Sequence, residues 1–146
     1  MEYGYLLGPF LSAKYCVLIL LEKEIIVHEY KNKDSWLEGL FHELGFTKRP
    51  FLEDLNSKVD SSTIYAIKQD SNSYTYKLSD IVEIELLFSS IKNKIVLKLK
   101  NGNELKFRIH ERTKTEFYFD KFSKNYSDKI NEIDKPESIL QKILRY

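Results

Sequence analysis

The chain has 146 residues, of which 42% are hydrophobic and 31% are charged. This length and composition are typical of one globular domain and argue against wholesale disorder. The formal net charge of +1 argues against a dedicated nucleic-acid binder, since such proteins carry a larger basic excess.

The beginning of the chain predicts an irregular lead-in followed by a β-hairpin. Residues 1–12 contain Gly4, Gly8 and Pro9 among apolar residues, which favours irregular structure. Residues 14–21 and 24–30 predict two strands joined at a tight turn. The first strand is apolar on both faces, so we expect a second layer to cover it. Its apolar run is far shorter than the ~20 residues of a membrane helix, so no transmembrane segment is predicted.

A helical insertion at about residues 34–56 is the predicted cover. Asp34 is a good N-cap, Trp36 begins an apolar helical stripe, and Gly45 ends the helix. We interpret this segment as an excursion between the second and third strands that lies on the sheet. The alternative is an independent helix in a helical subdomain.

The middle of the chain predicts further strands. They cover residues 63–69, 73–78, 80–88, 95–100 and 104–110, and Asn101-Gly102 predicts a hairpin between the last two. Alternation predicts an inward-facing set: Val82, Ile84, Leu86, Ile95, Leu97, Leu99, Leu105, Phe107 and Ile109. The pattern predicts an α+β fold with about seven antiparallel strands in a curled sheet or partly open barrel.

Two helical patterns follow the strands. Thr113 and Glu116 have capping-box spacing, and the apolar stripe of the first helix consists of Phe119, Phe122, Tyr126 and Ile130. We expect this amphipathic helix to cap an open end of the sheet. A second capping pattern at 134–137 leads into a short helical tail. The predicted domain therefore spans residues 1–133, and the tail spans 134–146.

The order of these elements resembles the pleckstrin-homology-like superfold, in its bacterial PH and GRAM-type branches. The resemblance rests on the stretch Lys-Leu-Ser-Asp-Ile-Val-Glu-Ile at residues 77–84, the Asn-Gly hairpin and the final helix. It implies a module that binds lipids, peptides or proteins rather than an enzyme. Two departures mean that no ligand residues transfer: the first hairpin loop is Glu22-Lys23-Glu24 instead of basic, and the last helix lacks a tryptophan.

A basic hairpin face is the first candidate site. Lys98, Lys100, Lys106 and Arg108 gather on one hairpin and could follow the phosphates of a nucleic acid or an anionic lipid. The interpretation that we favour is a solvated face, because glutamates on the same strands can pair with these lysines across the sheet.

The histidines and the cysteine provide little evidence for a metal site or a catalytic site. His28 and His42 each precede a glutamate, yet neither has a second histidine four residues on, as a zinc-binding helix requires. Cys16, the only cysteine, is predicted to be a small core residue in a reducing, cytoplasmic setting. No phosphate-binding glycine loop or nucleophile motif occurs, so we predict no metal, cofactor or catalytic residue.

The remaining candidate is apolar. Leu140, Ile143 and Leu144 on the tail, with Trp36, could present a stripe to a protein partner or a second subunit. Alternatively, the tail packs on its own domain, since a helix this short needs some surface to be stable. The sequence therefore predicts a non-catalytic interaction module whose partner is a protein or the chain itself, with a lipid ligand left open.

Overall fold

The computed structural model describes residues 4–30, 58–89, 93–109 and 114–134. These residues form an α+β structure with nine strands and two helices, and they divide into two compact units between residues 80 and 81. The elements are β1 (Gly4–Leu11), β2 (Tyr15–Leu20), β3 (Glu24–Tyr30), β4 (Lys58–Val59), α1 (Ser61–Lys68), β5 (Ser73–Lys77), β6 (Ile81–Phe88), β7 (Lys94–Leu99), β8 (Glu104–Ile109), α2 (Thr115–Asn125) and β9 (Ile130–Asp134). Neither helix is long and apolar enough to cross a membrane.

The first unit is an antiparallel sheet in the order β5-β3-β2-β1, with β4 paired to β1. The predicted hairpin of β2 and β3 is confirmed, and the Leu21 amide closes it by donating to the Glu24 carbonyl at 3.0 Å. Helix α1 packs Ile64 and Ile67 into a buried cluster that includes Ile19 and Ile26 of this sheet. One face of the sheet is therefore covered by a helix.

That helix corrects the prediction of a strand at residues 63–69. The side chain of Asp60 caps α1 by accepting a hydrogen bond from the Thr63 amide at 2.9 Å. Ile64 and Ile67, three residues apart, then fall on one buried face. The β-branched residues favour a strand, but the cap and the burial of this face favour the helix. The helix predicted from residue 34 lies outside the described residues.

The predicted irregular lead-in is also wrong, because residues 4–11 form β1. A bulge interrupts the pairing with β2 between Leu7 and Phe10, and Gly8 within it has φ +146°. A Cβ atom at Gly8 would lie 3.0 Å from a methyl group of Val17 and 3.2 Å from the Cys16 carbonyl. The glycine therefore permits a bulge inside a strand rather than ending the strand.

The second unit contains strands in the order β8-β7-β6-β9. The pairs β6–β7 and β7–β8 are antiparallel, and the predicted hairpin at Asn101-Gly102 is confirmed. Strand β9 is parallel to β6, which corrects the prediction of a wholly antiparallel arrangement. Ile130 begins this strand instead of continuing the helix, which ends at Asn125.

Most of the predicted inward set is buried in this unit. Ile84, Leu86, Ile95, Leu97, Phe107 and Ile109 are buried, and Leu99 and Leu105 are half-buried. Val82 is the exception, since 59% of its surface is exposed. The register of β6 and β7 shifts between Ile81 and Glu83, and this bulge turns Val82 away from the face that simple alternation predicts.

Helix α2 buries a different set of residues from the one that its pattern predicts. Phe122 and Tyr126 are buried as expected, whereas Phe119 is only half-buried and Tyr118 is 1% exposed. The helix begins at Thr115, and Thr113 of the predicted capping box lies outside the described residues. The predicted domain bounds of 1–133 and 134–146 stay a prediction, because the described part of the chain ends at residue 134.

Candidate functional site: the open edge of strand β5

The predicted basic hairpin face is interleaved with carboxylates. The Lys98 ammonium contacts the carboxylate of Glu85 and lies 3.6 Å from that of Glu83. The hydrogen bond that Lys98 donates to Glu85, with the nearby negative charges, raises the pKa of Lys98. Lys106 lies 3.8 Å from Glu104. These two lysines therefore have carboxylate partners, as expected of a solvated charged face.

The other two residues of that candidate, Lys100 and Arg108, are exposed. Lys100 follows the end of β7 in the turn, and Arg108 lies opposite Lys94 on the paired strands. Acidic side chains therefore lie among the basic residues of this candidate. Anion binding here stays a prediction. The apolar candidates Trp36, Leu140, Ile143 and Leu144 lie outside the described residues.

His28 forms a buried polar contact between β3 and the beginning of β5. Its side chain is 1% exposed, and its Nδ1 lies 2.6 Å from the Ser73 hydroxyl and 4.0 Å from the Asp70 carboxylate. A serine–histidine–aspartate relay needs the hydroxyl and the carboxylate on opposite ring nitrogens, whereas here both approach Nδ1. The geometry is that of a structural contact that fixes β5 against β3.

Burial lowers the pKa of His28, and the nearby Asp70 opposes this effect without reversing it. The unfolded chain therefore takes up a proton at this histidine near its ordinary value of ~6.5, whereas the folded chain does so only at lower pH. We expect the free energy of unfolding to decrease as the pH falls through 6.5, with a slope of at most about 1.4 kcal/mol per pH unit. The decrease should level off below the pKa of the folded state.

Urea unfolding of the wild type and of His28→Gln at several pH values between 7.5 and 5 checks this. The variant should lack the His28 part of the slope, because glutamine stays neutral throughout. An unchanged slope in the variant would contradict the assignment.

Cys16 is a core residue rather than a nucleophile. It is 1% exposed, and burial, with a smaller contribution from Glu29, raises the pKa of its thiol to about 12. The thiolate is the reactive form, so this side chain is inert at neutral pH. Among the described residues, no three histidine, cysteine, aspartate or glutamate side chains are placed to hold a metal ion.

An open depression of about 400 Å³ lies beside the β2–β3 turn and the end of β5. Its charged lining residues are Glu22, Lys23, Glu24 and Lys77, two acidic and two basic. Glu24 also pairs with Lys68 of α1. The balanced charges give this depression no preference for an anionic headgroup.

The more distinctive feature is the outer edge of β5. In the described part of the chain β5 pairs only with β3, and it ends the strand order of the first unit. The Leu78 amide donates to the Lys23 carbonyl at 2.9 Å, and the Glu29 amide donates to the Asn72 carbonyl at 3.0 Å. Because bonded and non-bonded pairs alternate along an antiparallel ladder, Tyr74 and Tyr76 direct their backbone groups toward β3.

The backbone groups of Ser73, Thr75 and Lys77 consequently point away from β3. Ser73 uses its amide in a turn, where it donates to the Asp70 carbonyl at 3.2 Å. The outward Ser73 carbonyl, together with the amides and carbonyls of Thr75 and Lys77, forms a row that we call the β5 edge. Such a row is a template for another strand.

Three tyrosines lie on β5 and on the neighbouring helix α1. Tyr74 is 47% exposed, Tyr76 is half-buried, and Tyr65 on α1, the helix that contacts β5, is 67% exposed. Tyrosine offers a large apolar surface with a polar tip and is enriched in interfaces. The sequence correctly predicts a strand at residues 73–78, but only the pairing of the strands places it at an edge.

No protein-family model matches this chain, and no curated protein sequence matches it either. The candidate site therefore depends on the geometry described above.

Proposed function

We propose that this chain is a cytoplasmic, non-catalytic interaction module of the pleckstrin-homology-like type, and that it binds a protein partner at the β5 edge. The observation that carries the proposal is the row of outward amide and carbonyl groups on β5, flanked by Tyr74. A partner strand added to this edge would hydrogen-bond to those groups and add one strand to the sheet of the first unit.

The chemistry of the edge favours a polypeptide over a lipid. Alternating amides and carbonyls are complementary to another backbone, whereas a phosphate headgroup is recognised by concentrated positive charge. Lys77 is the one basic residue of β5, and its cross-strand neighbour is Glu24. The tyrosines supply apolar contact area beside the hydrogen-bonding row.

Site-specific photo-cross-linking in cells tests the proposal. A benzophenone amino acid replaces Tyr74 in one variant and Phe88 in the other. Phe88 is a matched control because it is an aromatic strand residue with 48% exposure, against 47% for Tyr74. We expect light-dependent protein adducts at position 74 in clear excess over position 88. Adducts of equal yield at the two positions would refute binding at this edge.

A further inference from the structure

We propose that the protein bound at the β5 edge is a second copy of this chain, whose own β5 pairs antiparallel with Thr75 opposite Thr75. This inference depends on the proposed function, because both use the same edge, and it names the partner. The resulting interface is isologous: each copy presents the same strand to the other about a two-fold axis.

The sequence of β5 is nearly symmetric about its centre. The strand reads Ser-Tyr-Thr-Tyr-Lys, so reversing its direction exchanges the two tyrosines and leaves the threonine in place. In the antiparallel pair, Tyr74 of one copy lies opposite Tyr76 of the other, and this pair occurs twice. Aromatic pairs directly across two strands contribute roughly 0.2–1 kcal/mol each.

The directions of the backbone groups fit the same register. Thr75 points its amide and carbonyl outward, so the central residues can exchange two hydrogen bonds across the axis. The outward amide of Lys77 in each copy can then donate to the Ser73 carbonyl of the other. The Ser73 amide, already bonded to Asp70, is not needed.

Charge distinguishes this register from its neighbours. With Thr75 at the axis, the two Lys77 side chains lie at opposite ends of the paired strands. Moving the axis to Tyr76 would bring the lysines onto one diagonal, roughly 7–8 Å apart, and would leave only one tyrosine pair. Moving it to Tyr74 would put the occupied Ser73 amides in the two central pairs, each of which would then keep one hydrogen bond instead of two.

Strand β5 lacks the features that prevent such pairing elsewhere. Its register with β3 is regular and contains no bulge. It has no proline, and its one charged residue, Lys77, is at its end. Bulges, prolines and central charges are the usual protection of an edge strand.

The short strand sets the expected strength of the dimer. Five residues bury less surface than the ~1,200 Å² of a standard interface, so we expect a micromolar dissociation constant. Sedimentation equilibrium of the full chain between about 1 and 300 µM spans this range. The mean mass should rise from monomer toward dimer with concentration.

Variants at Thr75 test both the edge and the register. Thr75→Pro removes an outward amide that the pairing with β3 does not use, and should weaken association at least 10-fold. Thr75→Val, the matched control, keeps the amide and the β-branched shape, and should stay within 3-fold of the wild type. Circular dichroism and thermal unfolding establish that both variants are folded.

A charge-swap pair keeps the test independent of the proline variant. Thr75→Lys and Thr75→Glu each place two like charges across the axis, and each alone should dimerise at least 10-fold more weakly than the wild type. An equimolar mixture should recover the dimer, because opposite charges then face each other. This recovery is specific to a register in which position 75 faces itself.

Failure of this inference is distinguishable from failure of the proposed function. A wild type that stays monomeric to 300 µM, or a mixture that is no better than either charged variant, overturns the self-pairing. If the benzophenone at position 74 still cross-links to a protein whose mass differs from that of this chain, the edge is a binding site for that other protein. If position 74 yields no more adduct than position 88, the proposed function fails as well.

Discussion

Phe122→Ala is expected to lower the free energy of unfolding by about 3–5 kcal/mol, the usual cost of removing a buried phenylalanine. The side chain has no exposed surface and lies edge-to-face with Tyr126, with ring centroids 6.0 Å apart. Truncation would therefore leave a cavity and remove an aromatic pair at the end of α2. Urea unfolding followed by circular dichroism measures the loss.

Phe117→Ala is the matched control on the same helix. Phe117 is 38% exposed, and the Lys121 ammonium lies 5.4 Å from the centre of its ring. Its truncation should cost less than about 1 kcal/mol, since exposed positions rarely contribute more. Equal losses for the two variants would contradict the burial of α2 that the structure describes.

Phe122 and Phe117 differ in burial although both are aromatic residues of α2. The apolar pattern predicts the helix, but it does not by itself predict which aromatic residues are buried. Four of its residues, Phe117, Tyr118, Phe119 and Phe122, are aromatic, so helical spacing alone allows more than one buried stripe. The existence of the helix is predictable from its apolar period. The choice of Tyr118 over Phe119 depends on the rotation of the helix against its surroundings, which the sequence does not encode locally.

The strands show the same division between local and non-local information. The β2–β3 hairpin and the Asn101-Gly102 hairpin are predictable because short turns and alternation specify them. The parallel pairing of β9 with β6 joins residues more than forty positions apart, and no local pattern specifies it. Helix α1 did have a local signal, the Asp60 cap, but the β-branched residues that follow it favoured a strand.

The candidate site, like the pairing of β9, depends on contacts between residues that are far apart in the sequence. The sequence suggests partner binding through Trp36 and the tail, all outside the described residues, and through the basic hairpin face. Neither suggestion points to β5. An edge strand is one that has a paired strand on one side and none on the other, and this depends on how all the strands pair. Once the pairing is known, the nearly symmetric sequence of β5 indicates that the strand can pair with a second copy of itself, which alternation alone does not indicate.

Asn93→Ala is expected to cost roughly 2–4 kcal/mol, since it removes the partners of two hydrogen-bonding groups. Asn93 is 5% exposed, its Oδ1 accepts from the Ser89 amide at 3.1 Å, and its Nδ2 donates to the Thr115 hydroxyl at 2.9 Å. Its carbonyl accepts from the Ile109 amide at 2.9 Å. The Asn93 side chain thus links the end of β6 to the start of α2, and the Asn93 backbone carbonyl bonds to β8.

A double-mutant cycle separates this network from a general loss of packing. Thr115→Val removes the hydroxyl and keeps the shape, and should itself destabilise the fold because the buried Asn93 amide loses its acceptor. The combined variant should cost less than the sum of the two single changes, with a coupling of about 0.5–3 kcal/mol. Asn131→Ala, at an exposed position on β9, is the matched control and should stay within about 0.5 kcal/mol of the wild type. Strictly additive losses at Asn93 and Thr115 would show that the 2.9 Å contact contributes no stability, and the connection between β6 and α2 would then depend on apolar packing alone.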